Sequence, residues 1–158
     1  MSDQFVKIYQ KGFNFAIERY EKFLAICSDD AWKEKAGGWT LAQQYYHGLL
    51  ATNMLLSSVS GEEVANPDPE AGLLEEKPDV VPDKSAAALF LANIKLGAAD
   101  FFEKIDDATL LQKNEKISKK FGSEIVNAFV LELIPCHLLY HLGSCDAALR
   151  NRNLPGSW

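Results

Sequence analysis

The chain has 158 residues, 47% hydrophobic and 24% charged, the make-up of an ordinary globular protein with a sizeable core rather than of a disordered or fibrous one. Its 22 acidic against 16 basic residues leave a net charge of −6, which argues against nucleic acid or an acidic membrane surface as a partner. Cys27, Cys136 and Cys145 are odd in number and scattered, the N-terminus has no apolar leader, and no uninterrupted apolar run approaches a membrane span. Free thiols in a reducing compartment, the cytoplasm by default, and no membrane association are therefore expected.

In chain order, the apolar spacing of Phe5, Ile8, Tyr9, Phe13, Ile17, Tyr20 and Leu24 predicts a first helix from about Ser2 to Ile26. A connection follows from Cys27 to Trp39, in which Ser28-Asp29-Asp30 can cap a short helical turn and Gly37-Gly38 ends it. Thr40 as N-cap, with Gln43 at the capping-box position, opens a second helix reaching about Ser58. Ser60 to Pro82 holds prolines and glycines among acidic residues; it reads as a loop long enough to be functional, a semi-rigid cover over a site. Asp83 can cap a third helix, Lys84 to Ile105, and a second loop runs from Asp106 to Gly122. Ser123 is expected to open the last helix, which continues to about Arg150. No period-two strand pattern and no internal repeat is visible. Four long amphipathic helices with two long crossover loops predict an all-α chain, a four-helix bundle occupying residues 1–158 as one domain.

The three histidines are the sharpest functional signal. His137 and His141 lie one turn apart in CHLLYHLG, and at about 100° per residue they share a helix face. His47, on the second helix, would complete a three-nitrogen site for zinc, nickel or iron with a position left open. The competing reading is of core histidines with satisfied hydrogen bonds. Spacing alone does not choose between the two.

Trp39-Thr40 opening a helix with His47 eight residues after the Trp, HLLYHLG followed by a basic segment, and the Phe121-Gly122 turn feeding that helix together resemble the DinB/YfiT-like family. The resemblance implies an up-down-down-up bundle in which His47, His137 and His141 hold a divalent metal, often zinc or nickel. It also implies a homodimer, an expectation shared by the wide apolar face of Phe13, Phe15, Ile17, Tyr20 and Phe23. Two departures stand out. Ser144 and Cys145 follow Gly143 where family members frequently carry a Gln, and Pro135 lies inside the last helix, where it should remove a hydrogen bond and can kink the site.

A divalent ion on three neutral imidazoles keeps its charge, and so can lower the pKa of bound water toward about 7 or bind a thiolate. Some family members are similar to thiol-dependent transferases and isomerases. Transfer of a low-molecular-weight thiol to a small electrophile is thus the first expectation, ahead of metal-dependent hydrolysis and of a non-catalytic, metal-stapled dimerisation module. No spacing names a general base for hydrolysis. Gln43, Ser144 and Cys145 are candidates for lining the site: Gln43 could orient His47 or merely cap its helix, and Cys145 could be a ligand, a nucleophile or a small buried thiol. Tyr45, Tyr46 and Tyr140 read as core aromatics. Arg150 and Arg152 could meet an anionic substrate, or simply favour a helix C-terminus.

Overall fold

The computed structural model describes residues 3–158. Helix α1 (Gln4–Ile26) turns Val6, Phe13, Ala16, Ile17, Tyr20 and Phe23 inward; the expected start at Ser2 lies outside the described residues. Its first turn is capped from afar, the Asp107 carboxylate accepting the Phe5 and Val6 amides at 3.2 and 3.0 Å. Ser28 caps the short α2 (Asp29–Trp32) by accepting the Ala31 amide. The next residues correct the strand-free expectation: Lys35–Ala36 (β1) and Trp39–Thr40 (β2) pair antiparallel. Two residues per strand are too few for alternation to register. Gly37 and Gly38 both have positive φ, 65° and 94°, the backbone a tight hairpin turn needs and glycine adopts without strain.

Thr40 and Gln43 form the expected reciprocal capping box at the start of α3 (Leu41–Ser60). Helix α4 (Lys84–Lys104) follows Asp83, whose side chain makes no capping bond. The second crossover is more than a loop: it contains α5 (Asp107–Leu110) and α6 (Glu115–Phe121), capped by Asp106 and Asn114. Helix α7 (Asn127–Asn151) begins after Ser123, not at it. Residues 125–126 stay extended because Ile125 is buried and the backbone bonds Asn114 N–H to Ile125 O and Asn127 N–H to Gln112 O hold this stretch against residues 112–114. Pro135 sits within α7, which continues through it as one helix.

Cross-helix contacts set the directions. The Tyr20 hydroxyl donates to Leu138 O, and Gly12 faces Pro135, so α1 and α7 run parallel. Phe13 meets Phe102 and Glu21 meets Lys95, so α4 opposes α1. Leu41 lies by Cys145, and His47 by His141, so α3 opposes α7. The bundle is therefore up-down-down-up, with the first crossover joining two parallel helices. By length and composition alone α4 and α7 could cross a bilayer; in this fold both pack into the bundle core.

One contiguous core runs through the four long helices. It absorbs Phe13, Ile17, Tyr20 and Phe23, leaving only Phe15 of the expected outer apolar face exposed. Exposed apolar side chains include Phe5, Ile8 and Phe15 on α1, Leu89 and Leu96 on α4, and Phe129 and Tyr140 on α7.

Candidate metal centre

Because α3 and α7 are antiparallel neighbours, one turn of α7 meets the middle of α3, and the three histidines converge. Ring centroids are 4.8 Å apart for His47–His141, 5.3 Å for His47–His137 and 4.6 Å for His137–His141. Their candidate ligand atoms all lie within 4.8 Å of one another. The Nε2 atoms of His137 and His141 face each other at 3.3 Å. His47 Nδ1 is 2.7 Å from the carbonyl oxygen of Gly72, and a carbonyl only accepts, so Nδ1 carries the proton and Nε2 is the bare nitrogen. The buried Nδ1 atoms of His137 and His141 have no protein hydrogen-bond partner among the described residues.

Burial first, then the His137 and His47 rings, push the His141 pKa down to about 3; burial and His47 also lower that of His137. Both are held in the neutral form that ligates a cation. The His137–His141 pair suits a divalent ion, and His47 completes a set of three candidate donors within 4.8 Å of one another. Metal–nitrogen bonds of about 2.0–2.1 Å at tetrahedral angles put neighbouring ligand nitrogens about 3.3–3.4 Å apart, which is the His137–His141 spacing.

His141 borders a cleft of about 610 Å³ between α7, the β1–β2 hairpin and Leu74. Ser144 lines the same cleft, next to His141. Gln43 points elsewhere: its amide donates to Pro78 O at 2.6 Å and Val80 O at 3.1 Å, and its oxygen accepts the Thr40 amide, with no bond to His47. Cys145 falls on the core side, fully buried, its thiol toward Leu41 O and its pKa raised by burial. Of the two arginines, Arg152 lines the cleft while paired with Glu34 at 2.9 Å, and Arg150 pairs with buried Asp146.

Tyr45 and Tyr46 are core residues as expected, but Tyr140 is not. It is exposed, stacks edge-on to His141 at 5.1 Å and lines the cleft. Sequence reasoning also missed Gly72, Trp39 and Lys35 as parts of the site, since each arrives from a segment without regular periodicity. Gly72 carries one legible trace, being a glycine in a proline-rich stretch; its carbonyl's partner is not readable from the chain.

No family model matches the sequence, and no curated protein does. Among solved structures, the chain is similar to a DinB-like protein from Bacillus cereus ATCC 10987. The TM-score is 0.65 at 21% identity, over 94% of this chain and 93% of that one. The likeness shows the fold: this chain is built as a DinB-like helical bundle, as the sequence resemblance implied.

Proposed function

We propose that this protein is a metal-dependent enzyme that holds one divalent cation on His47, His137 and His141 and transfers a small thiol to an electrophile. The observation that carries the reading is the 3.3 Å spacing of the His137 and His141 Nε2 atoms opposite the bare nitrogen of His47. Zinc and nickel both suit three imidazoles that leave a coordination position open.

A cation bound there on three neutral ligands keeps its charge and favours a thiolate over a thiol. The protein's own groups supply binding and orientation. Trp39, Leu74 and Tyr140 give the cleft apolar walls for an electrophile, and Ser144 offers a hydroxyl beside His141. Lys35, on β1 and lining the same cleft, can meet an anionic group on the thiol. Hydrolysis ranks lower: Glu34, the one carboxylate among the described lining residues, is occupied by Arg152 and not poised as a base. The reading calls for the cytoplasm, where small thiols are kept reduced.

A homodimer belongs to the same proposal, supported by the exposed Phe5, Ile8 and Phe15 on one helix. The catalytic test is to incubate zinc-loaded protein with glutathione, bacillithiol, mycothiol or coenzyme A and a model electrophile. Thiol consumption should exceed that of the His141→Ala variant for at least one of them. Equal rates across all four would sink the transferase reading and leave the metal-stapled dimerisation module ahead.

A further inference from the structure

We infer that the crossover between α3 and α4 is a working part of the metal centre, with the Gly72 carbonyl as the positioning group that fixes the His47 ring; the inference rests on the metal-binding reading above. This crossover is strapped down rather than laid loosely over the site. Asn53 bonds both sides of Val64, its amide donating to Val64 O and its oxygen accepting Val64 N–H, each at 3.1 Å. The Tyr46 hydroxyl donates to Asn66 Oδ1 at 2.6 Å and accepts the Asp68 amide. Gln43 donates to Pro78 O and Val80 O. These anchors all come from α3, and His47, bonded to Gly72 O, is one more in the same series.

Gly72 is required there for two separate reasons. Its φ is +81°, and a Cβ would lie 3.1–3.3 Å from backbone atoms of His47 and Tyr46. The strap backbone is thus pressed against the α3 backbone at the ligand itself. A carbonyl held in this place keeps the proton on Nδ1 and turns Nε2 toward His137 and His141. Outer partners of this kind typically change metal affinity 10–100-fold.

The test begins with metal-free protein, so that it does not depend on whether a metal binds. Nitrogen-15 NMR of the imidazoles at pH 8.5 should show His47 as the Nδ1–H tautomer; a predominant Nε2–H tautomer overturns the inference. The second arm compares zinc affinity in Gly72→Ala and Gly61→Ala. Gly61 also has positive φ, +79°, but a Cβ there meets nothing within 4 Å, so it carries the backbone strain without the contact to His47. Gly72→Ala should weaken zinc binding 10–100-fold and mix the His47 tautomers, while Gly61→Ala stays within about twofold of wild type. Equal effects in the two variants would overturn the positioning role. If Gly72→Ala does not fold, the wild-type tautomer decides. If wild-type protein takes no zinc, the metal reading falls by itself.

Discussion

The Nε2 atoms of His137 and His141 stand 3.3 Å apart on successive turns of α7, in front of the His47 ring on α3. Two bare nitrogens at that distance repel unless a proton or a cation lies between them. Purified protein offered zinc is expected to take up one equivalent, and His137→Ala or His141→Ala to fall to near background. Zinc at 100 times its Kd should also add about 2.7 kcal/mol to the unfolding free energy, an increment absent from both variants. Stoichiometric uptake by His141→Ala, measured by elemental analysis after dialysis, would place any metal elsewhere.

Metal-free protein should lose stability as pH falls through the unfolded-state histidine value of about 6.5. The sign follows from proton counts: the folded pKa of His141 is pushed down to about 3, and that of His137 is also lowered. Between the two values the unfolded chain binds more protons, so stability rises with pH there and is fully present above about 6.5. The loss from pH 7 to 5.5 is on the order of 1 kcal/mol per fully neutral histidine. Asp146, whose carboxyl is held below its usual range by Arg150 and Ser157 against the opposing effect of burial, contributes only at more acid pH. Urea midpoints that do not differ between pH 7 and 5.5, or that fall as steeply in His141→Asn, would contradict this origin.

Gly48 and Gly143 both lie in helices, yet alanine should act in opposite directions at the two positions. A Cβ on Gly48 would stand 2.1 Å from the Tyr20 hydroxyl, which itself donates to Leu138 O. Gly48→Ala must displace that buried ring and should cost at least about 2 kcal/mol. At Gly143 a Cβ meets nothing within 4 Å, so alanine should stabilise by about 0.5–1 kcal/mol through helix propensity. Thermal melts of the two variants check both signs.

The thiols should divide cleanly. Cys136 is exposed, whereas Cys27 and Cys145 are buried with raised pKa values. A thiol-specific chromogenic reagent at pH 8 should label one cysteine per native chain quickly and all three only after unfolding. Rapid native labelling of Cys145 would mean that α7 opens at its C-terminal half.

Light scattering at micromolar concentration is expected to give about twice the chain mass. Replacing both Phe5 and Ile8, exposed neighbours on α1, by Asp should return the monomer. A wild-type mass near 17.6 kDa would refute the dimer.

Helix content was legible because it is written locally. The Thr40–Gln43 box, the Ser28 cap and the apolar periodicity of α1 need no information from elsewhere in the chain, and the structure contains each of them. The i, i+4 pairing of His137 and His141 was equally local, a consequence of helical pitch. What the sequence could not state is everything that depends on which helix faces which. Phe5 and Ile8 obey the helical period as well as Phe13 and Ile17, but only packing against α4 and α7 decides which pair is buried. The start of α7 at Asn127 rather than Ser123 follows from hydrogen bonds to residues 112–118. Tyr140 was expected in the core, but it lines the cleft beside the hairpin; of the two roles open to Gln43, capping is the one found, and its amide turns to the strap. Local chemistry, then, determined the helices and the ligand types. The antiparallel crossing of α3 and α7 and the strap that brings Gly72 to His47 decided that three separate imidazoles share one point, because distances between remote segments are set by packing and not by spacing along the chain.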